Sequence, residues 1–519
     1  MMEIRFLPDG CQSAGAGQRG ALLLSYPGGW AASAPFPPPA MYMSLEMPTI
    51  EARLADADIL SAVARLFDQP KGVGAARIAT ACHKGIVELT GFTDSLLARQ
   101  RATELAKAIR GVRGVINELC VRTPNVPDGE LRRRVQQALD QDPAVGAYPL
   151  DCRACAGTVT VEGIVQSWAE AQLVLQVLFG VPGLRQLHNH LVVRGGPLSN
   201  SDAEITTQIQ AFLAWDIRVV STRVQVLTID GVVYLTGTVG SAAEHDQVVA
   251  TAYVAGARCV KAAELHVAYW AQDPALSRQK FTPKADADVA QAIQDAFRYD
   301  PRLDALLPTV QVRAGVVTLL GTLSNLRARQ AAEQDARNVV GTWEVYNLLK
   351  VRSARPEPDA HILAQVQAAL LHDPHVSRRG FTVQVANGRV QLSGVVPDHF
   401  DRERAADVAA GINGVVEVVN HVHLVAAPGA QVAPITGEKV PVTQALLSRE
   451  ALDDQLAQRL HQHYRWSALL HDQPIDLGVR AGRVTLSGTV ASWLARQQAV
   501  TEAYACGATD VNNHLRVSA

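Results

Sequence analysis

The chain has 519 residues, 48% hydrophobic and 19% charged, a globular balance over a length that calls for several domains. Forty-eight lysines and arginines face 50 aspartates and glutamates, and this net charge of −2 argues against a nucleic-acid partner. The 5% of aromatic residues is too little for base-stacking platforms, and no run of about 18 apolar residues is present to span a bilayer.

Residues 1–50 are rich in Gly, Pro, Ala and Ser, carry no regular period, and read as a disordered N-terminal extension. Ala21-Leu22-Leu23-Leu24 is a poor secretory signal, because Ser25, Pro27, Gly28 and Gly29 break it at once. Met41, Met43 and Met47 stand just before the first regular segment and are alternative starts. Seven cysteines are too few, and odd in number, for a disulfide scaffold. Signal and cysteine usage together point to the cytoplasm.

From residue 52 onward one pattern recurs six times. Its signature is Gly-x-Val-x-Leu/Val-x-Gly, bounded by Gly85 and Gly91, Gly157 and Gly163, Gly231 and Gly237, Gly315 and Gly321, Gly388 and Gly394, and Gly482 and Gly488. The modules span 52–123, 128–195, 202–268, 286–352, 359–425 and 450–517, with linkers at 269–285 and 426–449.

Each module opens with an aspartate 29 residues before its first glycine: Asp56, Asp128, Asp202, Asp286, Asp359 or Asp453. Aliphatic residues follow three and seven positions later, as in Ile59 and Val63, so the spacing predicts an amphipathic helix with the aspartate as N-cap. Asp142-Pro143, Asp300-Pro301 and Asp373-Pro374 mark helix ends.

A hairpin comes next, clearest in Phe381-Thr-Val-Gln-Val, the turn Asn387-Gly388, and Arg389-Val-Gln-Leu-Ser. Aliphatic pairs such as Val87 and Leu89 flank one polar residue, which predicts one buried and one wet sheet face. Ser95, Ser167, Ser241, Asn325, Asp398 and Ser492 then cap a second helix. The closing strand carries Asn117, Asn189, Asn347, Asn420 or Asn513; module 3 has Ala263 instead. Each unit is therefore an α+β module, αββαβ, with a three-stranded mixed sheet and two helices on one face. A lone unit this small buries roughly 60% of its unfolded surface, so contacts between units should matter.

The glycine phrase, the capped second helix and closing strands such as Val115-Ile-Asn117-Glu-Leu119 resemble the BON domain, named for bacterial osmotically inducible and nodulation proteins. The resemblance covers about residues 55–517 and implies a non-enzymatic protein. It also implies the bacterial cell envelope, osmotic protection, phospholipid association and a periplasmic alternative to the cytoplasm. The expected role is a six-module scaffold that engages anionic phospholipid or envelope proteins; the alternative is a protein-interaction scaffold without lipid affinity, using exposed sheet edges. No cofactor is expected, and the oligomeric state is left open.

Chemistry-bearing phrases are scarce: there is no phosphate-binding Gly-x-x-x-x-Gly-Lys-Ser/Thr loop, His-Glu-x-x-His or Gly-x-Ser-x-Gly. Cys152-Arg-Ala-Cys155 falls on a strand, where positions i and i+3 face opposite sides, so a structural role is expected. His188 with His190, and His421 with His423, share one face of a closing strand and are expected to be solvated rather than metal-bound. Trp168 and Trp493, directly after the second-helix caps, are expected to pack against the preceding loop or the next unit; as candidate membrane contacts they are the alternative. Module 1 carries eleven basic and seven acidic residues; a solvated charged face is the default reading, and Arg99, Arg101, Lys107, Arg110 and Arg113 are candidate contacts to an anionic membrane beside it.

Overall fold

The computed structural model describes residues 54–67, 78–194, 201–303, 307–352, 357–424 and 442–517, apart from positions 221, 274, 275, 277, 278 and 378, together with Arg5–Phe6. Module 5 shows the common plan. A first helix (Asp359–His372) leads into two antiparallel strands (Phe381–Ala386 and Arg389–Val396). A second helix (His399–Ala410) then carries the chain over to a closing strand (Glu417–Leu424), parallel to the middle one.

In every module the hairpin's second strand lies at the centre of the sheet. Its two aliphatic residues, from Val87 and Leu89 to Val484 and Leu486, are completely buried in all six copies. First-helix residues such as Ile59 with Val63, or Ile362 with Val366, press on that face, and small second-helix residues such as Ala102 and Ala405 complete it. Six separate apolar clusters result, one per module. The fold is a tandem α+β repeat with both helices on one side of each sheet.

The module-opening aspartates do a different job from the one their position predicts. Asp359 lies in the helix, preceded by Pro358, and its carboxylate accepts hydrogen bonds from the N–H groups of Asn387 and Gly388 (2.7 and 2.9 Å). Asp56 holds Lys84 and Gly85, and Asp202, Asp286 and Asp453 repeat the two-pronged contact; Asp128 holds Ala156. The constant interval of 29 residues is thus the reach from the clamping helix position to the hairpin turn, a helix start in modules 1–5 and an interior position of Val442–Trp466 in module 6. Both turn residues have positive φ, 52° at Asn387 and 72° at Gly388, the pattern of a type I′ turn. Lys84, Ala156, Ala314 and Ala481 take the same left-handed position at φ 49–52°, where a side chain is disfavoured. The carboxylate clamp offsets that cost. The second glycine is required for a separate reason: a Cβ at Gly237 or Gly488 would run into the carbonyl oxygen of Arg223 or Pro474 on the neighbouring strand.

The closing asparagines hold the last strand to the second helix. Asn420 Oδ1 accepts from the Val422 N–H (3.1 Å), while its Nδ2 donates to the Arg402 carbonyl (2.9 Å); Asn117 and Asn347 repeat both contacts. Asn189 and Asn513 make the first. Module 3, with Ala263 in that place, has a register shift between Lys261 and Glu264, a bulge that substitutes for the missing side-chain bridge.

Three further expectations change. The described residues of 269–285 pack as a strap: Tyr269–Gln272 form a 3₁₀ turn, Ala271 and Gln272 are buried, and Lys280 is 8% exposed. Its ammonium donates to the carbonyls of Leu213 and Asp216 (2.5 and 2.8 Å) and of Val219. The first helix of module 6 spans Val442–Trp466, so the linker expected at 426–449 ends in helix; 425–441 lie outside the described residues. Arg5–Phe6 pair in parallel with Val192 and Val193 on the closing strand of module 2, while the other residues of the 1–50 extension, with Met41, Met43 and Met47, lie outside the described residues.

Candidate functional site

The helices face each other, and equivalent positions make equivalent contacts. Leu96 of module 1 joins the apolar cluster of module 2. Trp168 of module 2 stacks on Tyr253 of module 3 (centroids 5.5 Å apart, planes at 8°), and Asp246 of module 3 pairs with Lys107 of module 1. The circuit repeats in the second half. Leu326 of module 4 joins the cluster of module 5, His399 of module 5 stacks on Tyr504 of module 6 at 4.2 Å, and Trp493 of module 6 lies under the Arg337 guanidinium of module 4 at 4.8 Å. Modules 1–3 and modules 4–6 therefore form two closed triplets.

Backbone hydrogen bonds tie the triplets together. Arg110 N–H donates to Trp466 and Ala468 N–H to Ala108 (2.9 and 3.1 Å), joining modules 1 and 6. Val340 N–H donates to Trp215 and Ile217 N–H to Asn338 (both 2.8 Å), joining modules 4 and 3 at the same positions. In modules 2 and 5 the positions of Ile217 and Ala468 are held by Pro143 and Pro374, and that of Arg110 in module 2 by Pro182. A proline has no N–H to donate. At this third pair the bridge is replaced by a cavity of about 760 Å³, walled by the helices of modules 2, 4 and 5 and by Gln497 of module 6.

These seams use most of the side chains singled out as membrane contacts. Trp168 and Trp493 are half-buried between modules, so neither ring is free to enter a headgroup layer. Arg99 donates to the Asn117 carbonyl (3.1 Å), Arg101 covers the Phe400 ring at 3.9 Å, Lys107 is paired, and Arg110 covers Tyr269 at 5.0 Å. Arg113 alone of the five stays exposed. The distant partners Tyr253, Phe400 and Tyr269 give no periodic signal, which is why the sequence does not reveal these contacts.

His188, His190, His421 and His423 are all exposed on open sheet faces, and His190 has Glu162 beside it at 3.9 Å. No group of three metal-ligating side chains occurs among the described residues. Cys152 is buried, with its thiol pushed up to about 11 by burial, while Cys155 points to solvent on the opposite face. The two cannot act as a redox pair in this geometry.

Buried polar groups collect at the seams of module 5. His375 Nε2 lies 3.1 Å from the Ser95 hydroxyl of module 1, and burial pushes His375 and His399 both down to about 4. Asp401, beside Arg379 at 3.0 Å, is pushed up to about 6 by burial and by Asp398. The open sheet faces carry solvent-exposed apolar side chains: Ile116 is 50% exposed, Leu227 57%, Tyr346 50% and Val395 58%. No helix among the described residues is long and apolar enough to cross a membrane.

Six small mixed sheets, each backed by two helices on one side, define a tandem array of α+β modules. The chain belongs to the BON domain family, whose model matches residues 55–123, 127–195, 201–269, 285–353, 358–426 and 452–519. It is 32% identical over 125 residues to Osmotically-inducible protein Y of Escherichia coli, covering 23% of this chain and 62% of that protein. It is 33% identical over 109 residues to Outer membrane lipoprotein DolP of Haemophilus influenzae, covering 20% of this chain and 56% of that protein. The matches thus span less than two thirds of either relative. Among solved structures, CdsD, a structural protein of the type III secretion system of Chlamydia trachomatis, is similar to 41% of the chain and 91% of its own, at 15% identity and a TM-score of 0.11.

Proposed function

We propose that the protein is a non-enzymatic, multivalent scaffold of the bacterial envelope whose open sheet faces engage anionic phospholipid or envelope proteins during osmotic stress. One observation carries this reading: the helices are used up in the seams, whereas the sheet faces keep apolar side chains such as Ile116, Leu227, Tyr346 and Val395 in solvent. Six weak sites on one body gain avidity from their mutual effective concentration. The names of the two relatives, one osmotically inducible and one an outer membrane lipoprotein, support the setting. Contact with lipid would run through the sheets and Arg113 rather than through Trp168 and Trp493. Co-sedimentation of the full chain with phosphatidylglycerol liposomes at low salt tests this reading; no binding would remove the lipid partner.

A second reading is favoured by the pairing of Arg5–Phe6 with Val192 and Val193, a strand added in parallel to the edge of module 2. Closing-strand edges would then accept extended segments of protein partners. A pull-down that recovers a stoichiometric partner while liposomes fail selects it.

A further inference from the structure

The cavity at the third triplet-to-triplet contact differs in chemistry from the sheet faces. The amides of Gln137, Gln141, Gln176, Gln330 and Gln497 line it, and no hydrogen bond ties any of them to another described side chain. They come from modules 2, 4 and 6. Five arginines also line it, but each already has a carboxylate partner: Arg134 with Glu130, Arg302 with Asp300, Arg327 with Asp142, Arg337 with Glu333, and Arg404 with Asp373. An anion entering the cavity therefore meets no unpaired guanidinium. Glu403 and Asp407, one helical turn apart on module 5, complete the wall. Both are open to the cavity yet hemmed in by protein, and that burial holds their carboxyls above the usual carboxylate range.

We propose that this cavity is a binding site for a neutral polyhydroxylated ligand, a sugar or polyol, held by the amides of Gln176 and Gln330 and the carboxyl groups of Glu403 and Asp407. Amides offer both a donor and an acceptor, and a hydroxyl needs both. The internally paired charges disfavour phosphates and sulfates. The volume lies inside the range of about 300–1,000 Å³ usual for small-molecule sites. Its place in the fold is fixed by chemistry too. Modules 1 and 6, and modules 3 and 4, close their contact through N–H groups that Pro143, Pro182 and Pro374 lack, so the gap persists by sequence.

Titration calorimetry of the full chain with maltotriose and with trehalose, against spermidine and glycine betaine, tests the site. The expected result is saturable binding of at least one sugar, weakened about tenfold in Q176A/Q330A, since two hydrogen bonds are lost. The variant's unfolding midpoint should match wild type, because neither amide has a partner in the fold. If that variant misfolds, Q176M/Q330M, which keeps the side-chain volume and removes the amides, replaces it, with the same expected loss. Absence of sugar binding overturns the proposal, as does binding of only spermidine or betaine, or sugar binding untouched by a folded variant. None of these results depends on liposome or partner binding by the sheets.

Discussion

At the scale of single residues, an aspartate in every module and an asparagine in all but module 3 carry the geometry. Among the described residues Asp359 is the sole side-chain acceptor for the two N–H groups of its hairpin turn, and a charged acceptor is worth about 1.5–3 kcal/mol per hydrogen bond. Asp359→Ala should therefore lower the unfolding free energy by about 3 kcal/mol, read as a lower urea midpoint at unchanged slope, and Asp359→Asn by less because one amide oxygen remains. Equal losses in both variants would show that the carboxylate clamp is not what holds the turn. The asparagines give a sharper comparison. Asn420 uses both ends of its amide, whereas Asn189 Nδ2 is buried without a partner. Asn420→Ala loses two bonds; Asn189→Ala loses one and relieves an unsatisfied donor. Urea unfolding should rank Asn420→Ala as the more damaging by about 1 kcal/mol, and the reverse order would contradict the bonding described.

At the scale of elements, the repeat was legible because its causes are local. Alternation around Val390 and Leu392, a cap at Asp398 and a turn at Asn387-Gly388 each leave a short-range mark in sequence. The aspartates show the limit of that reading: the spacing was constant, but a helix start and a turn clamp call for the same residue at nearly the same place. The seams left a faint mark, the rings of Trp168 and Trp493 beside their caps, but not their partners. Trp168 and His399 look like any apolar or polar residue after a cap, and only the fold brings Tyr253 and Tyr504 beneath them. The His399–Tyr504 seam also sets a pH dependence. The folded imidazole is pushed down to about 4, while an unfolded one titrates near 6.5. On acidification the unfolded state binds the proton first, so stability present above about pH 6.5 is lost as pH falls toward 4. His375 acts in the same direction, and Asp401, raised to about 6, acts oppositely. His399→Phe keeps a stacked ring and removes one titration. Between pH 7 and pH 5 its unfolding free energy should fall by about 2 kcal/mol less than that of wild type. Parallel pH profiles would mean that this imidazole titrates alike in both states.

At the scale of the whole molecule, the order of modules in the chain is not the order of contacts. Module 1 touches module 3 through Lys107 and Asp246, and module 6 touches module 4 through Trp493 and Arg337, so each half closes on itself before the halves meet. A linear array, in which each unit leans only on its neighbours in sequence, would make any three consecutive modules equivalent. The closed triplets predict otherwise. A fragment of residues 286–519 keeps the Leu326, His399 and Trp493 seams intact. A fragment of residues 128–352 also has three modules, but it keeps only the Trp168–Tyr253 stack among the seams within triplets, together with contacts between triplets such as Val340 to Trp215. It also exposes the apolar helix surfaces that Leu96 and module 5 would cover. Thermal unfolding and limited proteolysis of the two fragments should find 286–519 cooperative and resistant, and 128–352 to melt at least about 5 °C lower, as a loss of one to two kcal/mol produces in domains of this size. Equal stability of the two would return the molecule to a string of independent modules, and with it the seams to incidental contacts.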